Sequence, residues 1–146
     1  MSQDWLALTS EPIDVAAAIA FVTAESAGGI DVFLGTTRAE KNAAGQSLLA
    51  LDYEAYSEMA IKQLNDLARR ARERWPIARL ALIHRVGRVE VCQPSVVIAV
   101  STAHRADAFE ACRWLIDTLK SEVAVWKKEV WSDGSESWVH PQGTKH

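Results

Sequence analysis

Apolar and polar residues alternate along several short stretches of the chain, and a period of two predicts β-strands. These stretches are IDVFLGTTR, LLALDYEAY and ARLALIHRVGRVEV, the last of which predicts either one strand or two strands with a kink at Gly87. The stretch PSVVIAVSTA is almost entirely apolar and rich in β-branched residues, which favours a central strand buried on both faces. Residues 137–139 suit a short final strand.

Three other stretches repeat apolar residues every three or four positions, which predicts helices. We expect Asp14 to cap the first, DVAAAIAFVTAES, and Gly28-Gly29 to stop it. We expect Ser57 to cap the second, which Pro76 ends, and the third is HRADAFEACRWLIDTLK. An initial helix followed by β-β-α-β-β-α-β predicts a single α+β or mixed α/β domain over residues 1–146, with 140–146 as a loose tail.

The stretch VAVWKKEVW, residues 123–131, has the pattern of a strand that carries lysines on both faces. Alternation places Lys128 on one face and Lys127 with Glu129 on the other, and both faces are otherwise largely apolar. Lysine is seldom fully buried unless it is paired. Both lysines are therefore candidates for contact with a partner or an anion.

Lys120 lies near the end of the third predicted helix, only a short turn before Lys127. At about 100° per residue it falls inside an apolar stripe formed by Phe109, Cys112, Ile116 and Leu119. The sequence leaves open that this lysine simply snorkels into solvent from the helix end. If the two ammonium groups meet, they lower each other's pKa, which favours an amine that binds or attacks an electrophile.

His104 and Arg105 lie where the buried strand becomes the third helix. Cations at a helix N-terminus are locally unfavourable, and a bound phosphate would remove the conflict. Alternatively, both side chains reach solvent or pair with neighbouring carboxylates. Arg105 and Lys120 are separated by roughly 22 Å along a straight helix, too far for one small ligand. Either they serve separate sites, or a two-fold dimer joins opposite ends of the two helices; we favour the dimer.

Composition and charge exclude several classes of function. A net charge of −3 argues against a broad nucleic-acid surface, and no apolar run approaches a membrane span. The N-terminus lacks the pattern of a signal peptide, so we expect a cytoplasmic protein. The 4 histidines have no metal-ligand spacing, and neither a metal nor a cofactor is expected. His84 is predicted to be a hydrogen-bonded core or interface residue, and Cys92 and Cys112 to be reduced, inert thiols.

Four segments together resemble the large, catalytic subunit of molybdopterin synthase: LDYEAYSEMA, ERWPIARLALIHRVGRVEV, SVVIAVSTAHRADAFEACRWLIDTLK and VWKKEVWSDGSESWV. The resemblance runs over about residues 29–139. It implies an α/β hammerhead fold, of α+β class, with a mixed, mostly antiparallel sheet and packed helices. It also implies a sulfurtransferase of molybdenum cofactor biosynthesis that converts cyclic pyranopterin monophosphate (precursor Z) to molybdopterin.

In the family that the chain resembles, sulfur arrives as the C-terminal thiocarboxylate of a small ubiquitin-like subunit. The resemblance therefore implies a heterotetramer in which a homodimer of large subunits binds one small subunit at each end. It makes Lys120 and Lys127 the candidate catalytic residues. The candidate substrate-binding residues are Thr36, Thr37, Arg38, His104, Arg105, Lys120, Lys127, Lys128 and Glu129. The sequence departs from the family pattern at Ala124, where family members often have proline, and at Ala39, where they commonly have Asp or Asn.

Two other functions fit the same residues. A dimeric binding module that senses a small phosphorylated ligand would use the same basic cluster without catalysing a reaction. A scaffold that only holds a ubiquitin-like partner would tolerate substitution of Arg38 or His104. Only a synthase would form dithiolene product from precursor Z and a thiocarboxylated small subunit.

Overall fold

The computed structural model describes residues 3–139 and confirms the α+β class. The elements, in chain order, are β1 (Asp4–Thr9), α1 (Val15–Val22), β2 (Gly29–Thr36), β3 (Leu48–Ala55), α2 (Ser57–Arg74), β4 (Ile77–Arg85), β5 (Gly87–Glu90), β6 (Pro94–Thr102), α3 (Arg105–Glu122), β7 (Val125–Trp131) and β8 (Glu136–Val139). The predicted loose tail, 140–146, lies outside the described residues.

The described strands form two four-stranded sheets. The first sheet has the order β1-β4-β6-β2, in which β1 is parallel to β4 and the other pairs are antiparallel. The second sheet has the order β5-β3-β7-β8 and is antiparallel throughout. Strand β6 is a central strand of the first sheet, as its apolar sequence predicted, whereas β2 lies at that sheet's edge.

Alternating side chains on β4 divide the core of the first sheet between its two faces. Leu80 and Leu82 pack into the cluster formed with α2 and α3, while Ala81 and Ile83 pack against α1 on the other face. All four are buried, and full burial of one leucine stabilises the fold by roughly 1.5–3 kcal/mol. The first sheet is therefore covered on both faces, which explains why its central strands are almost entirely apolar.

Gly87 is the point where the chain passes from the first sheet to the second. It is the first residue of β5, two positions after the last residue of β4, and has φ +85°, a conformation that only glycine adopts readily. A Cβ at this position would meet no atom within 4 Å, so backbone conformation rather than crowding requires the glycine. The predicted kink is confirmed, and it also divides the run into strands of different sheets.

Three predictions about the elements were wrong. Strand β1 was missed, and α1 ends at Val22 rather than at Gly28-Gly29. The helix stops because Thr23 adopts an extended conformation and both its amide and its hydroxyl donate to the Ile19 carbonyl, at 3.1 and 2.7 Å. Ser57 is the first helical residue of α2 and not its cap, which is Tyr56. The predicted cap of α1 is confirmed, since Asp14 accepts a hydrogen bond from the Ala17 amide at 3.0 Å.

The apolar stripe of α3 is rotated from its predicted position. Its buried residues are Ala108, Ala111, Cys112, Leu115, Ile116 and Leu119. They centre on a direction roughly 90° away from Phe109. Phe109 is consequently 56% exposed, and Lys120 lies at the margin of the stripe, half-buried, rather than inside it.

Candidate functional site

A cavity of about 780 Å³ lies between the two sheets and the C-terminal end of α3. One wall is the end of β2 and the loop that follows it, residues 33–40. The second sheet forms the facing wall with Leu48, Leu51, Tyr53, Lys127 and Glu129, and α3 closes one side with Ile116, Leu119 and Lys120. His84, Cys92, Ser95, Val96, Trp138 and Val139 complete the lining.

The cavity contains six of the nine predicted site residues: Thr36, Thr37, Arg38, Lys120, Lys127 and Glu129. The other three, His104, Arg105 and Lys128, are not among its lining residues. The structure thus brings the two lysines to one space, as the short turn between α3 and β7 suggested. It leaves the residues at the start of α3 elsewhere in the same chain.

The pairing of β3 with β7 sets the chemical character of the second-sheet wall. Tyr53 is opposite Lys127, and Leu51 is opposite Glu129. Directly opposed residues of an antiparallel pair project to the same face with their Cβ atoms close together. One lysine and one carboxylate therefore lie side by side on a wall that is otherwise apolar and aromatic.

Lys127 has a strongly perturbed ammonium group. Burial is the main cause that lowers its pKa from 10.5 to about 8, and the charge of Lys120 lowers it further. Glu129 and Glu40 oppose this shift. Burial also lowers the pKa of Lys120, with Asp117 opposing. A lysine whose pKa lies this close to neutrality can act both as a cation and as a neutral amine.

Carboxylates border the cation side of the cavity. Burial raises the pKa of Glu129, and its hydrogen bond and charge repulsion with Glu40 raise it further, against a hydrogen bond from Ser137 at 3.3 Å. Glu40 also lies 3.6 Å from Arg38, whose side chain is 76% exposed. Arg38 therefore reaches the cavity from a solvent-accessible position and retains freedom to contact a ligand.

The two threonines before Arg38 have different surroundings. Thr37 is 1% exposed and its hydroxyl donates to the Val89 carbonyl at 3.4 Å, while its backbone bonds to Gln93 and Cys92. This anchorage holds the start of the loop against β5 and the turn that joins β5 to β6. Thr36 is exposed, so its hydroxyl is the more accessible of the two.

His84 was predicted to be a core or interface residue, and the structure places it in the cavity wall. It is 6% exposed, its Nδ1 lies 2.7 Å from the Arg85 carbonyl oxygen, and its ring meets the Tyr53 ring edge-on at 5.0 Å. Burial lowers its pKa to about 4, and Lys127 adds to the shift. Strand alternation gave its direction correctly, but nothing in the local sequence indicated that the second sheet leaves a cavity there.

His104 caps α3 and Arg105 begins it, as predicted, and both side chains are exposed. Neither forms an ion pair within the part of the chain that the structure describes. The start of β2 crosses this helix end closely, because a Cβ on Gly29 would come within 2.9 Å of the Arg105 Cα. The cavity lies at the opposite end of both α3 and β2.

Lys128 faces away from Lys127, as alternation predicted. It forms an ion pair with Glu136 at 3.1 Å and lies 5.3 Å from the centre of the Trp138 ring. The hydrogen bond with Glu136 raises its pKa. Its charge is therefore compensated on its own face of the second sheet, and the structure does not bring it to the cavity.

The cysteines have different environments. Cys112 is 3% exposed, and burial raises the pKa of its thiol to about 12. Cys92 is exposed at the cavity rim, with φ +75°. Within residues 3–139 no group of three or more His, Cys, Asp and Glu side chains could hold a metal ion. Over the same residues no helix is long and apolar enough to cross a membrane.

Comparison with known proteins identifies the family. Residues 8–122 match the family model described as MoaE protein. The chain belongs to the MoaE family. A molybdopterin synthase catalytic subunit from Halalkalibacterium halodurans is 45% identical over 142 residues, which cover 97% of this chain and 89% of the relative. One from Pyrococcus abyssi is 40% identical over 148 residues, covering 100% and 97%.

Solved structures agree with this assignment. Molybdopterin synthase from Staphylococcus aureus superposes with a TM-score of 0.86 at 34% identity, covering 96% of this chain and 98% of that one. A complex of subunits 1 and 2 of the molybdopterin-converting factor from Helicobacter pylori gives 0.77, but at 20% identity it shows the fold alone. The resemblance found in the sequence is confirmed: this MoaE-family chain is similar throughout to catalytic subunits of molybdenum cofactor biosynthesis.

Proposed function

We propose that the chain is the sulfurtransferase subunit of a molybdopterin synthase. It converts cyclic pyranopterin monophosphate to molybdopterin with two sulfurs taken from the C-terminal thiocarboxylate of a small ubiquitin-like subunit, in the cytoplasm. The observation that carries the proposal is the pair Lys120 and Lys127 in one cavity, with the pKa of Lys127 lowered to about 8. The catalytic-subunit names of the family's members support it.

The two lysines suit different parts of such a reaction. A thiocarboxylate and a phosphorylated pterin are both anionic, and charge-assisted hydrogen bonds to ammonium groups would hold them. At pH 7.5 a pKa of about 8 leaves about a quarter of the Lys127 amines neutral. Lys127 can therefore exchange a proton with the reacting groups, while Lys120 supplies a second amine in the same cavity. Arg38, exposed at the cavity mouth, extends the anion site.

The position of β2 supports a site shared between two chains. Its start lies against Arg105, its end lines the cavity, and it is the edge strand of the first sheet. If two copies pair along this edge about a two-fold axis, the start of each β2 lies beside the end of the other. The eight residues of β2 span roughly 26 Å, and Arg105 and Lys120 are separated by roughly 22 Å along α3. Because these two lengths are similar, such pairing would bring Arg105 of one chain close to Lys120 of the other.

Exposed apolar side chains near this edge also favour self-association. Ile30 and Leu34, on β2, are 40% and 38% exposed, and Phe109, on the adjacent α3, is 56% exposed. A row of exposed large apolar residues is typical of an interaction surface. In the dimer, His104 and Arg105 of one chain would bind the substrate's phosphate beside the lysines of the other. This dimer would be the centre of a heterotetramer with two small subunits.

Reconstitution tests the proposed reaction. The protein is incubated with precursor Z and the thiocarboxylated small subunit, and dithiolene product is measured together with thermal unfolding. We expect Lys120→Ala and Lys127→Ala to lose nearly all product formation and to remain folded. The matched control is Lys62→Ala, since Lys62 is exposed on α2, away from the cavity. Near-normal turnover in either cavity variant would remove that lysine from the mechanism.

Subunit mixing tests the shared site. Arg105→Ala and Lys127→Ala, each inactive alone, are mixed under conditions that exchange subunits. Each mixed dimer would contain one intact site, so an equal mixture should recover about a quarter of the wild-type activity. If mixed dimers form and the activity stays absent, the site lies within one chain.

A further inference from the structure

The hydrogen bond to the Arg85 carbonyl fixes the tautomer of His84. A carbonyl oxygen only accepts hydrogen bonds, so the Nδ1 atom 2.7 Å from it must carry the hydrogen. In a neutral ring the proton is then absent from Nε2, which keeps its lone pair. His84 therefore presents a hydrogen-bond acceptor on a buried ring that lines the cavity.

The surroundings of the ring keep it neutral. Burial removes the water that would stabilise an imidazolium, and the nearby charge of Lys127 opposes a second positive charge. The Tyr53 ring packs against the imidazole edge-on, and burial raises the pKa of its phenol, so it stays uncharged as well. Of the three neighbouring side chains His84, Tyr53 and Lys127, Lys127 is therefore the one that carries a positive charge.

Strand pairing connects His84 to Lys127 geometrically. Tyr53 is directly opposite Lys127 on the second sheet, on the same face, and its ring contacts His84 on the first sheet. The three side chains thus form one continuous part of the cavity wall. We propose that His84 is a positioning residue, whose Nε2 accepts a hydrogen bond from the Lys127 ammonium and holds Nζ toward the cavity. Its importance for turnover rests on the proposed sulfur transfer.

A neutral acceptor orients the amine without strongly favouring its charged form. A carboxylate in the same place would raise the pKa of Lys127 substantially, because an opposite charge favours the ammonium ion. With His84 as the acceptor, Lys127 is held in one direction and can still lose its proton near neutral pH. The buried histidine thereby separates orientation of the amine from control of its charge.

Three substitutions separate the two ring nitrogens. His84→Gln places an amide near the Nε2 position, His84→Asn places one near Nδ1, and His84→Phe keeps the ring packing against Tyr53 without either nitrogen. The readout is the pKa of Lys127 in the protein without substrate, measured as the pH dependence of its acetylation by acetic anhydride with mass spectrometry. Lys62, exposed on α2, is the internal reference in every sample.

We expect the pKa of Lys127 to fall by about one unit in His84→Phe and His84→Asn, because the ammonium loses a charge-assisted acceptor. In His84→Gln it should stay within about half a unit of the wild type, and turnover should fall about tenfold in the first two variants only. A purely structural role for His84 would leave the acetylation profile of Lys127 unchanged in folded variants.

The proposal is overturned if the Lys127 pKa is unchanged in His84→Asn, or if His84→Gln behaves like His84→Asn. Should His84→Phe fail to fold, this Asn and Gln pair still decides the matter. The titration needs neither precursor Z nor the small subunit. Absence of dithiolene product from the wild-type protein would therefore refute the proposed function and leave the result on His84 standing.

Discussion

Lys127→Met should make the protein more stable at neutral pH while it destroys the site. The methionine keeps an unbranched apolar stem on the cavity wall and removes an ammonium group that burial destabilises. The pKa of Lys127 falls from 10.5 to about 8, a difference of 2.5 units, and each unit corresponds to about 1.36 kcal/mol. The upper bound is therefore about 3.4 kcal/mol.

The expected gain is smaller because Lys127 is only partly buried and water screens its charge. We expect the free energy of unfolding at pH 7 to rise by about 1.5 kcal/mol in Lys127→Met. The unfolded chain binds the Lys127 proton more tightly than the folded chain does. Below about pH 8 Lys127 is charged in both states, and its charge lowers the free energy of unfolding by the full amount. This effect declines between pH 8 and 10.5, so wild-type stability recovers there and the variant's advantage disappears.

Urea unfolding at pH 7 and at pH 10.5, at fixed protein concentration, measures both quantities. The matched control is Lys128→Met on the same strand, where the hydrogen bond with Glu136 raises the lysine's pKa. That variant should be no more stable than the wild type at either pH. If Lys127→Met is less stable than the wild type at pH 7, or is stabilised equally at both pH values, burial of the Lys127 ammonium does not destabilise the folded protein.

Three further outcomes are expected. Leu115→Ala, which empties a fully buried position on α3, should lower the free energy of unfolding by about 2–5 kcal/mol in urea titrations, and a loss under 1 kcal/mol would contradict the packing described. Phe109→Glu should leave thermal unfolding of the monomer unchanged and weaken self-association at least tenfold in sedimentation equilibrium; an unaltered dimer would exclude this surface. Because the two lysines would hold the thiocarboxylate at the small subunit's C-terminus, crosslinking from the last residue of that subunit should label Lys120 or Lys127. Labelling of distant lysines alone would refute this role of the lysine pair.

Local periodicity predicted those features that depend on neighbouring residues. The opposite orientations of Lys127 and Lys128 follow from the period of a strand, and the position of Arg105 at the start of α3 follows from the change of period at Thr102. The distance between the two ends of α3 could be predicted from the number of its residues alone. These inferences hold because the rise and twist of a regular element are almost independent of the rest of the fold.

Features that depend on distant pairing could not be predicted in this way. Strand β1 is stabilised by β4, more than 70 residues later, and its own sequence was too short to identify it. Phe109 is exposed because the first sheet ends at β2, and the sequence does not say where a sheet ends. His84 faces a cavity only because β5 continues into another sheet.

The crossing at Gly87 has a mechanical consequence. Lys120 belongs to α3, which packs on the first sheet, whereas Lys127 belongs to the second sheet. The distance between the two amines therefore depends on the angle between the two sheets. An anion that binds both amines would restrict the motion of one sheet relative to the other. At a free concentration of a hundred times its dissociation constant, such a ligand raises the free energy of separating the two sheets by about 2.7 kcal/mol. Amide hydrogens of β5, at the far edge of the second sheet, should then exchange with solvent more slowly, although the anion touches none of them.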